Sequence, residues 1–311
     1  GAQLRRWSDV QLQIALDAPE IVFARVAADQ KLRVVEALKR KGEIVAVTGD
    51  GVNDGPALKS AHIGIAMGKK GSEIAKQASS LIITDDDLAR MVDAVAMGRK
   101  IYSNLKKAIQ YIISIHIPII LTVFMPLALG WIYPNIFTPV HVIFLELIMG
   151  PTCSIIYENE PIEKNMMQQP PREFTSTFFN WQELATSIVQ GLMITLGTLF
   201  IYRYAVWQGC NEDMTRTLVF ITLISANVFL TLVNRSFYYS ILETSRYKNR
   251  LVTVIIIVTV LLTVLFVMAD PLARLFGFQY AGLMHSMISI ITGFVSVIWF
   301  EAVKYNKRRS G

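Results

Sequence analysis

The pattern of apolar and polar residues divides the chain into an amphipathic first third and a long hydrophobic remainder. Before residue 109 the apolar runs are short and alternate with polar stretches. After it, six runs approach or reach the roughly 20 residues that a helix needs to cross a bilayer core. They lie near 109–130, 138–157, 184–207, 216–234, 251–269 and 283–303. The pattern therefore predicts an α/β domain followed by an all-α membrane bundle of six transmembrane helices.

The short apolar runs of the first third predict a small parallel sheet. The predicted strands are Ile21–Arg25, Ile44–Val47, Ile63–Ala66 and Leu81–Thr84. The predicted helices are one from an N-cap at Asp29 through Arg40, one over 55–60 and one over 72–78. Alternating strands and helices favour a parallel sheet, whose ligands gather at the carboxyl ends of the strands. We assign 1–87 to the soluble domain, 88–108 to a stalk helix that continues into the first span, and 109–311 to the membrane domain.

Composition and charge support a membrane protein. The chain is 53% hydrophobic and 17% charged, whereas a soluble domain carries about 25% charged residues. The net charge is +6, but the basic residues cluster beside apolar spans, which indicates a topology signal and not a nucleic-acid surface. Lys and Arg are absent from 131–137 and 208–214, and 270–282 holds only Arg274. The opposite loops are basic, so we expect both chain ends to lie in the cytoplasm. We expect the lipid bilayer of the plasma membrane to be a partner of the chain.

The stretch Thr48–Leu58, TGDGVNDGPAL, carries the candidate chemistry of the first third. Asp50 and Asp54 follow a predicted buried strand on a turn broken by glycines, and glycine allows a tight turn that approaches a ligand closely. Mg²⁺ is usually held by one or two carboxylates together with phosphate oxygens and water. The alternative is an ordinary surface turn, since Asp-Gly and Asn-Asp-Gly are common turn formers.

These eleven residues resemble the TGDGxNDxPAL hinge signature of the P-type ATPases, whose phosphorylation domain is of the haloacid dehalogenase type. Further segments resemble the same family, namely FARV at 23–26 with Lys31, IGIAMG at 63–68, TDD at 84–86 and GRKIYSN at 98–104. The proline that is usual in the first of these segments is missing. The resemblance implies ATP-driven cation transport through a phospho-aspartate intermediate, with Mg²⁺ and ATP as cofactors.

The resemblance also implies roles for single residues. Asp50 would bind Mg²⁺ together with the phosphorylated aspartate, and Asn53 and Asp54 would complete or orient that metal site. Lys31 would contact the phosphoryl oxygens as a point charge. Thr48 and Gly49 would shape the turn.

The family's DKTGT and TGE motifs do not occur in the chain. We therefore expect the C-terminal part of a pump, inactive alone, whose partner is the N-terminal part that binds most of the ATP. Two alternatives stay open. One is a non-catalytic, truncated membrane regulator. The other is a membrane-tethered phosphatase of the dehalogenase type, which would need its own Asp-x-Asp nucleophile.

Glu146 is the candidate ligand for a transported ion or proton. It lies in the middle of the second apolar run, and carboxylates inside a membrane are costly and mark function. We expect it to be buried. Pro118 and Pro151 lack the N–H of a normal helix, so they either free the carbonyl groups of Ser114 and Leu147 or only kink the helices.

The other polar residues of the apolar runs are candidates either for ligand roles or for packing within the bundle. His116 and Asn227 are further candidate cargo ligands, although hydrogen bonding within the bundle is the alternative for both. His141 is also expected to hydrogen-bond in the bundle, and Glu183 and Glu301 are expected near span ends. Cys153 and Cys210 have no metal-ligand spacing and are expected to be packing thiols.

The number of spans resembles the calcium, sodium-potassium and proton pump branches, and we identify the chain as calcium-pump-like. Calcium pumps carry an acidic residue in the first of these spans and an N-x-x-T-D pattern in the next. Here the first span has His116 and no acid, and Glu146 and Gly150 stand at the asparagine and aspartate positions. This departure favours one ion, or a proton, over a two-ion calcium site.

Overall fold

The computed structural model describes residues 1–18, 20–172 and 178–310, apart from the side chains of Cys153, Ser154 and Ser310. The chain forms two compact units. One comprises Gly1–Met97 with a short piece that begins at Pro170, and the other comprises Gly98–Gln169 and the rest of the chain.

The first unit contains a three-stranded parallel sheet in the order β1-β2-β3. The strands are β1 (Ala46–Gly49), β2 (Ile63–Met67) and β3 (Leu81–Ile83), and the helices are α1 (Asp9–Ala15), α2 (Ala28–Arg40), α3 (Gly55–Ser60) and α4 (Glu73–Ala78). Val35, Ala57, Leu58 and Ala66 are buried between the helices and the sheet. The predicted parallel α/β arrangement is confirmed.

Three details of the prediction for this unit are wrong. Residues 21–25 form no strand, because Arg25 adopts a left-handed backbone conformation with a φ of 54° and Val22 is 89% exposed. Helix α2 begins two residues earlier than predicted, because its N-cap is Ala27 and not Asp29, which lies in the first turn; the Ala27 N–H donates to the Gln30 side chain. Strand β1 is shifted toward Gly49, since its pairing with β2 runs from Ala46 to Gly49.

The second unit is helical. Its helices are α5 (Arg90–Ala128, which begins in the first unit), α6 (Pro139–Pro151), α7 (Trp181–Trp207), α8 (Glu212–Val233), α9 (Ile241–Thr244), α10 (Arg250–Met268), α11 (Asp270–Leu275) and α12 (Gly282–Ser310). A π-helical segment, Thr152–Tyr157, continues α6. Among the described residues, six helices are long and apolar enough to cross a membrane, which confirms the predicted bundle. Helix α5 is unbroken, so the predicted stalk and the first span form one helix.

Burial differs strongly among the six helices. The most apolar stretch of α8 is 72% buried, whereas that of α10 is 17% buried. Leu223 and Leu230 of α8 are fully enclosed, and Leu261 of α10 is 62% exposed. A helix that is apolar on its outer face suits lipid as its surroundings. Helix α8 is therefore the centre of this unit, and α10 lies at its edge.

Candidate functional site

The turn that follows β1 is organised by the carboxylate of Asp54. Asp54 is 6% exposed, and its Oδ2 accepts the backbone N–H groups of Asp50 and Gly51, each at 3.2 Å. Its Oδ1 forms an ion pair with Nζ of Lys31, which lies in the first turn of α2. One side chain therefore ties the turn to itself and to α2.

The close packing of this turn explains the glycine that ends β1. A Cβ at Gly49 would lie 2.5 Å from Cβ of Asp54, which no side chain can tolerate. The sequence analysis expected Thr48 and Gly49 to shape the turn, but in the structure they are the last two residues of β1 and the turn begins after them. The Ser72 N–H donates to the carbonyl of Asp50 at 2.8 Å, a contact that the sequence analysis did not anticipate.

Asp50 and Asn53 differ from Asp54 in their surroundings. Both are exposed, and within the described part of the chain neither side chain has a hydrogen bond or an ion pair. Asp50 therefore offers both carboxylate oxygens at the carboxyl end of β1, where ligands of parallel sheets bind. The structure brings Lys31, Asp54 and the backbone of Asp50 together, and it leaves the side chains of Asp50 and Asn53 at the surface.

The electrostatics of Asp54 are set by its partners. Burial raises the pKa of its carboxyl, but hydrogen bonds from Lys31 and from the Gly51 and Asp50 N–H groups outweigh burial. The pKa of Asp54 consequently lies below its usual value. The side chain is charged at neutral pH, as the ion pair with Lys31 requires.

Asp50 and Asp54 fit unequally as magnesium ligands. The described residues contain no group of three or more His, Cys, Asp or Glu side chains that could hold a metal. Mg²⁺ commonly takes one or two protein carboxylates and completes its octahedron with phosphate oxygens and water. The exposed Asp50 carboxylate suits that role. Asp54 already accepts three hydrogen bonds, so it suits the role of holding the turn.

A second carboxylate in this unit is also held by backbone groups. Asp86 follows β3 with a φ of 62°, and its two oxygens accept the N–H groups of Lys69 and Lys70, each at 2.9 Å. These bonds, with one from Gly68, lower its pKa against the opposing effect of burial. The TDD segment pointed to this position, but only the structure identifies its partners.

In the second unit, Glu146 of α6 meets His116 of α5. The distance between Oε1 of Glu146 and Nε2 of His116 is 3.1 Å. The side chains of His116 and Glu146 are 41% and 45% exposed. The expectation that Glu146 is buried is therefore wrong for the described chain, because its position on α6 faces outward beside Leu147, which is 66% exposed.

The hydrogen bonds of His116 define what its facing nitrogen can do. Its Nδ1 lies 2.8 Å from the carbonyl oxygen of Ile112. A carbonyl only accepts, so Nδ1 carries a proton. In the neutral ring Nε2 then presents a lone pair toward Oε1 of Glu146. Two acceptors at 3.1 Å need a proton or a cation between them.

The two prolines named from the sequence lie in different settings. Pro118 is inside α5, which stays helical through it, and a Cβ at Gly191 of α7 would lie 2.9 Å from the Ser114 carbonyl oxygen. Gly191 thus allows α7 to pass close to the carbonyl that Pro118 leaves without its helical donor. Pro151 ends α6, where the π-helical segment begins. Such segments are frequent at functional sites.

The other polar residues of the spans mostly have partners within the bundle. Asn227 is 2% exposed and accepts a hydrogen bond from the Tyr111 hydroxyl. His141 Nε2 lies 2.6 Å from the Phe276 carbonyl oxygen, which confirms its predicted hydrogen bonding. Glu183 and Glu301 pair with Lys106 and Lys304, each at 2.6 Å. Cys210 is buried and free, and the side chain of Cys153 lies outside the described part.

The sequence analysis missed a buried ion pair just after the second span. Glu160 has no exposed surface, and its oxygens lie 2.8 Å and 3.3 Å from Nε and Nη2 of Arg235. Asn249 Nδ2 donates to the same carboxylate at 2.9 Å, and Asn104 Nδ2 donates to the Glu160 carbonyl at 2.8 Å. Glu160 therefore joins the end of α8 and the start of α10 to α5. No spacing rule links these positions, which are far apart in sequence.

Known proteins are similar in sequence to both parts of this chain. The family profile described as "Cation transporting ATPase, C-terminus" matches residues 134–306. "Calcium-transporting ATPase 1" from Bacillus cereus is 31% identical over 99% of this chain and 36% of that protein. "Calcium-transporting ATPase 1" from Schizosaccharomyces pombe is 30% identical over 100% of this chain and 34% of that protein. Human "Sodium/potassium-transporting ATPase subunit alpha-4" is 42% identical over 65% of this chain and 20% of that protein.

The chain spans about a third of the length of the first two of these relatives. The profile match covers more than half of the chain, and the six apolar helices make it an integral, multi-pass membrane protein. The chain belongs to the cation-transporting P-type ATPases, as the C-terminal part of such a pump.

Proposed function

We propose that the chain is the transport and hinge part of an ATP-driven pump that moves one cation or proton through a phospho-aspartate intermediate. The observation that carries the proposal is the Lys31–Asp54 pair at the end of β1, in a chain with six helices able to cross a membrane. The phosphorylated aspartate and most of the ATP site would come from the rest of the pump. Since the chain has no DKTGT motif, we expect it not to form a phosphoenzyme by itself.

The residues of the hinge would divide the work at the phosphoryl group. Asp54 holds the turn and fixes the Lys31 ammonium by an ion pair. Lys31 keeps 41% of its side chain exposed, so the ammonium can meet a phosphoryl oxygen as well. Charge on transferring phosphoryl oxygens must be met by cations. Bound Mg²⁺ would supply further positive charge, with the exposed Asp50 carboxylate as its protein ligand and Asn53 beside it.

The pair of His116 and Glu146 would be the cargo site in the membrane. Its two facing acceptors require a proton or a cation, which matches the charge that a pump must carry. The pair is about two-fifths exposed in this chain, so another element of the whole pump would cover it. Asn227, bound to Tyr111, fits interhelical packing better than a ligand role.

The distribution of basic residues supports an orientation. Loops at 131–137 and 208–214 lack Lys and Arg, whereas the alternate loops and the C-terminal end are basic. Positively charged loops stay on the cytoplasmic side. We therefore propose cytoplasmic ends and a site in the plasma membrane.

The test is phosphoenzyme formation by the whole pump, with this chain as its C-terminal part. Radiolabelled ATP and Mg²⁺ are supplied with a panel of cations over a range of pH. We expect phosphoenzyme that depends on one cation or on pH, and its loss in Asp50→Asn. A phosphatase of the dehalogenase type would show no cation dependence, and a regulator would show no phosphoenzyme. Normal phosphoenzyme in Asp50→Asn would contradict the magnesium role.

A further inference from the structure

The peptide group between Asp50 and Gly51 is held from both of its sides. Its N–H, on Gly51, donates to Oδ2 of Asp54 at 3.2 Å, and its carbonyl oxygen, on Asp50, accepts the Ser72 N–H at 2.8 Å. The N–H of Asp50 donates to the same Asp54 oxygen at 3.2 Å. The backbone on both sides of the Asp50 Cα is therefore fixed, and only the side-chain torsions of this exposed carboxylate are free.

Ser72 can hold this peptide group because it is itself held by helix α4. It is the N-cap of α4, and its Oγ accepts the Ala75 N–H at 3.2 Å. A capping hydroxyl of this kind satisfies one of the N–H groups that a helix leaves unpaired at its start. Ala75 is fully buried in a cluster with Leu58 and Ala66. The Ser72 N–H is thus anchored through α4 to the core of the first unit.

The loop that leads from β2 to Ser72 is fixed as well. The Gly68 N–H donates to the Ile83 carbonyl oxygen of β3 at 2.8 Å. The backbone N–H groups of residues 69 and 70 donate to the two carboxylate oxygens of Asp86, each at 2.9 Å. These bonds tie the loop to the end of β3, while the Ser72 N–H ties it to the turn after β1. The position of the Asp50 backbone is therefore set by contacts that reach across the sheet.

We propose that Ser72 is a positioning residue that presents the Asp50 carboxylate to Mg²⁺. The inference rests on the magnesium role proposed above for Asp50. A ligand whose backbone is fixed beforehand loses less conformational freedom on binding, so it holds a metal more tightly. Ser72 acts through the Asp50 peptide group and needs no contact with the metal or the phosphoryl group.

The test compares the Mg²⁺ dependence of phosphoenzyme formation by the whole pump in Ser72→Ala and in the unchanged protein. Ser72→Ala keeps the backbone N–H but removes the hydroxyl that fixes it to α4. We expect the half-maximal Mg²⁺ concentration to rise about fivefold, the typical size of one lost N-cap contact, with the maximum regained at saturating Mg²⁺. Ser72→Thr keeps a capping hydroxyl and should stay within about twofold.

The outcomes of this comparison are separate. An unchanged half-maximal Mg²⁺ concentration in Ser72→Ala overturns the proposal, and so does an equal rise in Ser72→Thr. A lower maximum that saturating Mg²⁺ does not restore also overturns it, because the variant would then be damaged in general and not in its hold on the metal ligand.

Ser8→Ala is the matched control in the same unit. Ser8 caps α1 by the same kind of contact, since its Oγ accepts the Gln11 N–H at 3.2 Å. The Ser8 N–H, however, donates to the Gln11 side chain and not to the hinge. Ser8→Ala should therefore leave the Mg²⁺ dependence unchanged. A rise equal to that of Ser72→Ala would mean that any lost cap loosens the unit, and would overturn the proposal.

Amide hydrogen exchange of the chain alone gives a readout that needs no phosphorylation. Ser72→Ala should speed exchange at residue 72 and at Gly51 by about fivefold, whereas Ser8→Ala should leave both rates unchanged. Unchanged exchange at Gly51 in Ser72→Ala would mean that Ser72 does not hold the peptide group, and would overturn the proposal.

Failure of the magnesium role and failure of the positioning role give different results. Phosphoenzyme that forms without Mg²⁺ in the unchanged pump would refute the role of Asp50 and, with it, that of Ser72. A normal Mg²⁺ dependence that Ser72→Ala does not alter would refute the role of Ser72 alone.

Discussion

Two carboxylates that bracket the end of the second span differ in almost every physical respect. Glu160 is fully enclosed and meets Arg235, Asn249 and, through its carbonyl, Asn104. Glu146 keeps 45% of its side chain exposed and meets one imidazole. The first has its hydrogen-bonding capacity filled by the chain itself. The second has capacity left, and needs a proton or cation to satisfy the contact it makes.

We propose that this difference, a complete against an incomplete set of partners, separates a structural acid from a candidate ligand in this chain. A buried charge with a complete set of partners fixes the positions of the elements it joins. A charge with an incomplete set is costly unless a ligand completes it. The hinge repeats the contrast, because Asp54 is saturated and Asp50 is not.

The largest expected effect is that of Glu160→Gln. The substitution removes the charge that balances buried Arg235, and leaving a buried charge unpaired costs about 3–5 kcal/mol. We expect a clearly lower thermal unfolding temperature of the detergent-solubilised chain. The double variant Glu160→Met/Arg235→Met should recover most of the loss, since an apolar pair replaces both charges. An unfolding temperature equal to that of the unchanged chain in Glu160→Gln would contradict the structural role.

A smaller loss is expected for Asp54→Asn in the hinge. The amide has one acceptor oxygen, so its NH₂ group must face either Lys31 or the backbone N–H groups, and an unmade hydrogen bond costs about 1–3 kcal/mol. Amide hydrogen exchange of Gly51 should speed up by tenfold or more. The matched control is Asp50→Asn, whose exposed carboxylate has no described partner. In Asp50→Asn the exchange rate of the Gly51 amide should stay within about threefold of the rate in the unchanged chain, as for surface substitutions. Equal acceleration in both variants would mean that Asp54 and Asp50 do not differ in how they hold the turn.

The titration of Asp54 sharpens the same contrast. The pKa of Asp54 is lowered in the folded chain. Its contribution to the free energy of unfolding is therefore fully present above the unfolded pKa of about 3.9 and is lost as pH falls through the folded pKa. The Gly51 amide, which donates to this carboxylate, reports the protonation. In a chain labelled with ¹⁵N-glycine, the chemical shift of this amide should titrate with a midpoint below the usual pKa of an aspartate. A midpoint above that value would mean that Lys31 does not stabilise the charge.

The smallest effect on stability is expected for Glu146→Gln. The Glu146 side chain is 45% exposed, and its one ion-pair partner among the described residues is His116. The free energy of unfolding should therefore change by no more than about 0.5 kcal/mol, with little change in the unfolding temperature. In the whole pump, however, the same variant should abolish or shift the dependence of phosphoenzyme on cation or pH. Unchanged ion dependence would exclude Glu146 as a cargo ligand. A large loss of stability would mean that Glu146, like Glu160, has a structural role.

Sequence reasoning was reliable where one local property decides the outcome. The six spans follow from apolar length alone, and helix α3 begins and ends at the predicted residues. The prediction of a strand at 21–25 was wrong because a strand needs a neighbouring strand to pair with and an extended backbone. Arg25 adopts a left-handed conformation instead. Strand β1 was misplaced for a related reason, since pairing with β2 sets its bounds.

By itself the sequence determined the α/β and membrane classes, the glycine-rich acidic turn and the unusual glutamate in the second span. These depend on composition, periodicity and neighbours along the chain. Only the tertiary structure decided that Asp54 is saturated, that Glu146 faces His116 and that Glu160 is enclosed with Arg235. Those facts depend on which distant residues meet and how much water reaches them. Partners that are far apart in sequence leave no periodic signal.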